Sequence, residues 1–316
     1  MSLQTPYTNE QMLRLLSLAH RHSNPNLLDN WYFADPINQR GQTEYTNSAS
    51  RSNYSIDRWI LHWYPAKLSV DGGVAFSNIG QSNSILRQYI VSSEDYAANF
   101  GSKTVTTSLL ANNMLLTATV TLPADFKNNT YYGYAYIPGK STNIRIAMHN
   151  HWLAFDIYID NKDGDVSLNL IAAKLELGEH QTLAHQDDTG AWVLNDPPPN
   201  KQQELAKCQR YFVRLENTDT SGKVFLGLAK ASTTTNATLL VPLPTSMRSR
   251  GTITFSGVEY SNSAASAAVA ATSLVSVLSP ITNNTRALNL VGTFTVGEVY
   301  SVWLAPGGYI DLSAEL

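Results

Sequence analysis

The chain is 316 residues long, carries 15% charged residues and has a formal net charge of −3. Soluble globular proteins average about 25% charged residues, so Asn, Ser, Thr and Tyr have taken over much of the polar surface here, a mixture suited to hydrogen-bonded β-structure. Six Trp, 16 Tyr and nine Phe exclude a disordered chain. The acidic balance and the lack of any Lys/Arg run exclude a nucleic-acid footprint, and the single cysteine, Cys208, excludes an intrachain disulfide.

The first expected element is a helix within residues 1–25. Thr8 can cap it with Gln11 three residues on, Met12, Leu15, Leu16 and Ala19 follow helical spacing, and Asn24-Pro25 ends it. So short a helix is marginal alone; it packs on its own body, or it attaches the chain to a partner or an oligomeric bundle. From residue 26 to about 196 the pattern is β. Thr104 to Thr121 reads as a hairpin broken at Asn112-Asn113. Ile144 alternates with Ile146, and Phe155, Ile157 and Ile159 lead into a turn at Asp163-Gly164. Residues 197–200, which hold three consecutive prolines, cannot continue a ladder and mark a linker. A short helix from Lys201 to Cys208 then opens a second β region, 201–316. Its expected strands begin at Tyr211, Val224, Leu239, Ile253, Val269, Ala287, Tyr300 and Tyr309. The small residues of 261–279 suggest tight sheet packing or a subunit contact. The expected fold is all-β: two antiparallel β-sandwich, jelly-roll-like domains preceded by a short N-terminal α-helix.

No apolar run approaches the roughly 20 residues of a membrane span, and the basic-then-apolar pattern of a signal peptide is missing. Neither membrane insertion nor secretion is therefore expected, and synthesis is expected in a cytoplasm. The sequons at Asn53, Asn128, Asn236 and Asn283 then count as chance matches.

Catalytic chemistry is hard to find. There is no Gly-x-Ser-x-Gly elbow, nothing local activates Cys208, and the acids are sparse and lie mostly in turns. The expectation is that the protein is not an enzyme and has no catalytic residues. Residues 160–165 look like calcium chemistry but put Ile159 and Leu170 where an EF-hand needs carboxylates, so a hairpin turn explains them better. His149 and His151, two apart, could share a strand face and offer nitrogens to a metal on a trimer axis; ordinary surface histidines account for them more simply. No metal or other cofactor is expected. The aromatics say more. Tyr132, Tyr134 and Tyr136 alternate onto one strand face, and Trp59, Trp63, Tyr64 and Trp152 lie in neighbouring β segments. Sugars stack on such rings, so these seven are the candidate glycan-binding residues. A core or subunit-interface stripe produces the same pattern and stays open beside that reading.

Several phrases carry a resemblance. Asn-Leu-Leu-Asp-Asn-Trp-Tyr-Phe at 26–33, Pro-Ile-Asn-Gln-Arg-Gly at 36–41 and Tyr-Ser-Ile-Asp-Arg-Trp at 54–59 resemble the opening of a domain common in bacteriophage virion proteins, itself similar to carbohydrate-binding-module jelly rolls. Ala-Lys-Leu-Glu-Leu-Gly-Glu at 173–179 resembles its closing strand. The phrases at 204–212 and 241–248 resemble the start of a terminal β domain of tail and capsid fibres, which are usually homotrimers. This resemblance covers roughly residues 26–250. It implies a structural protein of the virion, a tail or capsid fibre or decoration protein, made in the host cytoplasm and released by lysis. Its expected partners are two further copies of itself, other virion proteins through the N-terminal helix, and host cell-surface polysaccharide. In carbohydrate-binding jelly rolls a structural calcium often ties the first strand to the last, which by resemblance points to Asp29 and Glu176. A purely architectural subunit without ligand, or a polysaccharide depolymerase with paired carboxylates, are the other functional classes.

Overall fold

A computed structural model describes residues 23–249, 251–262, 268–276 and 285–315. The helix expected at the N-terminus lies outside the described residues, as does part of the small-residue stretch 261–279. The described residues are mostly β, every strand pairing is antiparallel, and the chain divides into two compact units between Asn200 and Lys201. No described helix is long and apolar enough to cross a membrane.

In chain order the first unit carries β1 (Glu44–Asn47), β2 (Ser52–Tyr54), β3 (Ile60–His62), β4 (Ala66–Ser69), β5 (Val74–Asn78), β6 (Ser84–Ser92), α1 (Ser93–Asn99), β7 (Thr104–Ala111), β8 (Met114–Thr121), β9 (Thr130–Tyr136), β10 (Asn143–His149), β11 (Trp152–Ile159), β12 (Ser167–Leu177), β13 (Ala184–Gln186) and β14 (Trp192–Leu194). Two six-stranded sheets, ordered β1-β4-β5-β12-β7-β8 and β2-β3-β6-β11-β10-β9, feed one hydrophobic core. Leu68, Phe76, Leu109 and Leu175 enter it from the first sheet and Leu61, Leu86, Ile146 and Phe155 from the second. The β7–β8 hairpin turns at Asn112 and Asn113 with φ of 47° and 58°. Both values are left-handed, as a two-residue turn matched to the strand twist requires, and Asn tolerates them. The segment around 27–33 runs beside β12: Leu27 N–H donates to Leu175 O (2.8 Å), Ala173 N–H to Trp31 O (3.0 Å) and Phe33 N–H to Ile171 O (2.9 Å).

Helix α1 was not expected inside a β region. Glu94 and Asp95 in its first turn complement the N-terminal end of the helix dipole. Tyr96 then drops into the core, with its hydroxyl donating to Pro123 O (2.7 Å).

The second unit carries α2 (Lys201–Gln209), β15 (Phe212–Glu216), β16 (Val224–Ala231), β17 (Asn236–Pro242), β18 (Thr252–Ser261), β19 (Val269–Ala270), β20 (Ser273–Ser276), β21 (Thr285–Val291) and β22 (Val299–Ser313). All eight strands belong to one sheet, ordered β19-β18-β22-β16-β17-β21-β20, with β15 added on β22, and they surround a core of their own. Cys208 is buried where α2 meets β15. The two strands expected at Tyr300 and Tyr309 are one. Pro306, Gly307 and Gly308 do not end it but form a bulge in which 305–308 oppose only Gly257 of β18. Gly307 takes a φ of 70° there, and Asn217 closes the bulge by donating its N–H to Gly308 O (2.9 Å) and accepting from Gly307 N–H (3.1 Å).

Candidate functional site

On β10 and β11 nearly every residue is buried on both faces, although only one face meets the shared core. The other face is covered by its own side chains. Register explains how. Arg87 of β6 sits directly opposite Asp156 of β11, and Asp156 opposite Arg145 of β10, so three charges form a row across the middle of the sheet. Arg87 holds Asp156 bidentately, Nε to Oδ1 at 2.7 Å and Nη2 to Oδ2 at 2.8 Å. Its remaining Nη1 lies 2.9 Å from Nε2 of His62 on β3. Since Arg can only donate, Nε2 accepts and the His62 proton sits on Nδ1, 2.9 Å from Ser52 Oγ.

The electrostatics follow from burial. Burial opposes ionisation of Asp156, but the Arg87 charge and hydrogen bonds, with help from Arg145, outweigh it and hold the carboxyl below its ordinary range. Burial, then the Arg87 charge, pushes His62 down to about 3, so its imidazole is neutral at pH 7. Arg145 reaches Asp156 only at 3.6 Å. Its guanidinium carbon lies 4.1 Å from the centre of the Tyr131 ring on β9 and 4.0 Å from that of Tyr158 on β11, the strands on either side. Burial pushes the Tyr158 phenol up to about 12, with the nearby Asp160 adding to it.

Over this row lies a groove of about 600 Å³, walled by Trp63, Tyr64, Tyr89, Tyr131, Trp152 and Tyr158 and reached by Arg87, Arg145 and His149. Trp152 lies over the Arg87 guanidinium (4.4 Å) and stacks on His149 (5.5 Å, 19° between planes). Trp63 is 57% exposed and follows β3 at a φ of 63°, pinned by hydrogen bonds between its backbone and those of Ser50 and Arg51. A bulky residue in the left-handed region costs about 1 kcal/mol or more, and what this strain achieves is to stand the indole at the rim.

The seven sequence-derived candidates divide. Trp63, Tyr64 and Trp152 line the groove. Tyr134 and Tyr136 form an exposed parallel pair with centroids 5.7 Å apart, and Tyr136 lines a separate depression of about 490 Å³ with Met114 and Trp192. Trp59 is not at the surface. It is fully buried, donates its indole N–H to Asn30 O (2.9 Å) and packs on Phe33 and Phe155. Tyr132 is corrected as well: Gly133, at a φ of 61°, and Tyr134 together oppose Arg145, and this bulge breaks the alternation. Tyr132 turns to the core while Tyr131 takes the groove side. The sequence reading missed Arg87, Asp156, Arg145 and Tyr131. A cue existed, since Leu86-Arg87-Gln88, Ile144-Arg145-Ile146 and Phe155-Asp156-Ile157 each set a charge mid-strand, and two of the three set it between apolar residues.

Other candidates resolve locally. Asp163 accepts from Ser141 N–H, Thr142 N–H and the Thr142 hydroxyl, and Asp160 from Lys162 N–H, so the carboxylates of Asp160 and Asp163 are engaged in holding the turn. His149 ends β10 whereas His151 lies in the turn before β11, so the two do not share a strand face. Among the described residues no group of three or more His, Cys, Asp or Glu is placed to hold a metal. Calcium needs six to eight oxygens. Asp29 instead pairs with Arg58 (3.1 Å), and Glu176 accepts from the Thr182 N–H and hydroxyl with the Lys174 ammonium 3.9 Å away. Those surroundings do not fit a calcium cage; the first segment is tied to β12 by backbone hydrogen bonds instead. No protein family, curated protein or solved structure matches this chain.

Chemically the groove can stack and hydrogen-bond. None of its lining residues is an Asp or Glu, and the carboxylate beneath it is consumed by Arg87.

Proposed function

We propose that the chain is an adhesive structural subunit of a bacteriophage particle, a tail or capsid fibre or decoration protein, whose groove holds a host-surface glycan. The observation that carries the adhesive part is the aromatic-walled groove over a fixed row of hydrogen-bonding charges, because sugars offer apolar ring faces to stack and hydroxyls to bond. The virion part rests on the phrases at 26–33, 54–59, 173–179, 204–212 and 241–248. On this reading the first unit is a jelly-roll sandwich of the carbohydrate-binding-module type, and the second is a C-terminal β-sandwich formed by one coiled sheet. The helical pattern of Met12, Leu15, Leu16 and Ala19 supports an N-terminal attachment helix.

Self-association, with the homotrimer of the resemblance as its proposed form, is supported by the second unit. Phe225, Leu228, Leu240 and Val299, each 49–58% exposed, stand on the side of its sheet away from the core. Exposed apolar surface of this kind favours association, and identical chains satisfy it symmetrically. The same face favours a second reading, an architectural subunit with no ligand.

A glycan array probed with the full chain separates the two. Adhesion predicts retention of at least one bacterial surface oligosaccharide, lost in Trp63→Ala and Trp152→Ala. Retention of none contradicts it and leaves the architectural role.

A further inference from the structure

Arg145 is unusual among the groove residues because its side chain makes no hydrogen bond and shares its one nearby carboxylate, Asp156, with Arg87. Its side chain is 10% exposed, its distance to Asp156 is 3.6 Å, and its Nε is buried without a hydrogen-bond partner. The Asp156 oxygens are taken by Arg87. Burying an arginine without a full set of partners is costly, and nothing in the core needs it, since it points away from that core. Tyr131 and Tyr158 clamp the guanidinium at 4.1 and 4.0 Å. With a tyrosine ring 4.1 and 4.0 Å from its carbon and Nε buried, the two Nη groups are what the guanidinium has left to offer a further partner. The second unfulfilled group on the same groove is Nδ1 of His149, also buried without a partner.

The charges facing the groove can be stated one by one. Arg87 and Arg145 contribute two positive charges, Asp156 beneath them contributes one negative charge, His62 is neutral at pH 7, and no other carboxylate lines the wall. Counting the lining side chains and the carboxylate beneath them, the groove carries one uncompensated positive charge, with Asp160 near Tyr158 outside the lining, in a chain whose net charge is −3. A rigid guanidinium edge matches a planar carboxylate through two parallel N–H donors.

We infer that the groove selects acidic sugars, with the carboxylate of a uronic- or sialic-type residue received by Arg145 while its ring stacks on the neighbouring aromatics. This inference rests on the glycan reading above and sharpens it to a ligand class. The oriented edge also separates it from nonspecific attraction, which would not need the two tyrosine rings.

The test is calorimetric titration of the full chain with a galacturonic acid trisaccharide and with the neutral galactose trisaccharide, with acetate and inorganic phosphate alone as anion controls. The acidic trisaccharide is expected to bind roughly tenfold more tightly than the neutral one, as for a charge-assisted bidentate contact, and to weaken as salt is raised. Arg145→Gln is expected to abolish that preference, so that the acidic and neutral trisaccharides bind with the same affinity. Arg145→Lys keeps the charge but not the fork and is expected to lose most of the preference, and Trp63→Ala to weaken both sugars alike. Thermal melts alongside show that each variant is folded. Equal affinity for the two sugars, or a preference that survives in both Arg145 variants, overturns the inference and leaves the glycan reading standing. Acetate or phosphate binding as tightly as the acidic sugar also overturns it, by making the site an anion pocket. Binding of neither sugar overturns the inference, and the glycan array then decides separately whether the wider glycan reading stands.

Discussion

On the outer face of the β2-β3-β6-β11-β10-β9 sheet, Arg87, Asp156 and Arg145 lie in a row beneath aromatic rings; on the outer face of the second unit's sheet, Phe225, Leu228, Leu240 and Val299 stand in water with little to bond. Both are the non-core side of an antiparallel sheet, and they solve opposite problems. The first keeps charges where water is scarce, which is tolerable only because each is oriented by partners, and the outcome is a fixed pattern of donors, which on the proposed reading serves a ligand. The second spends nothing on orientation and gains nothing until it is covered, which suits contact with identical copies. A sheet's spare face is thus either wired or left greasy, and the sequence decides this with one residue in every two.

The largest effect expected from breaking this contrast is at Asp156. Asp156→Ala leaves Arg87 without its carboxylate in a dry site and should cost about 3–5 kcal/mol, read as a fall in the urea midpoint of the first unit. A loss below about 1 kcal/mol would mean that water already solvates the row and the face is not wired at all. Next comes assembly. Leu228→Lys with Leu240→Lys should change folding stability by no more than about 0.5 kcal/mol per site, as at other exposed positions, yet reduce the mass measured by light scattering to that of one chain. A wild-type chain that is already monomeric at micromolar concentration breaks the second half of the contrast.

Acid should act on the wired face first. His62 has a folded pKa of about 3, depressed by burial and by Arg87, against about 6.5 when unfolded. The unfolded chain therefore binds the extra proton as pH falls, and stability contributed by neutral His62 is lost between pH 6.5 and 3. Asp156, held below its ordinary range, adds a loss only below the usual carboxylate pKa. Melting temperatures across this range should fall for the wild type and fall less steeply for His62→Gln; equal slopes would remove His62 from the row. The smallest effect is expected for Trp63→Gly, where loss of an exposed ring is offset by relief of the φ of 63°, leaving stability within about 0.5 kcal/mol of wild type while the groove loses a wall.

Local pattern made much of the fold legible. The Asn112-Asn113 hairpin and the alternation of Ile144, Ile146, Phe155 and Ile157 could be read because both signals are contained within one or two strands. What failed depended on exceptions to period two. Gly133 inserts a bulge, so Tyr132 and Tyr134 do not share a face, and Pro306-Gly307-Gly308 looks like a terminator yet sits inside β22. Trp59 and Trp63 flank β3, where period two alone would set them on one face, and the left-handed backbone at Trp63 as the strand ends sends that ring outward while Trp59 stays buried. The Arg87–Asp156–Arg145 row was beyond local reading for another reason: it exists only once the registers of β6, β11 and β10 are set.

The contrast between the two faces is tested most directly by hydrogen exchange on the full chain, with and without a saturating digest of host-surface polysaccharide. The account predicts that added protection falls on peptides covering 60–64, 129–136 and 143–158 and leaves 224–242 unchanged. Protection confined to the second unit, or none at all with any digest, would contradict it.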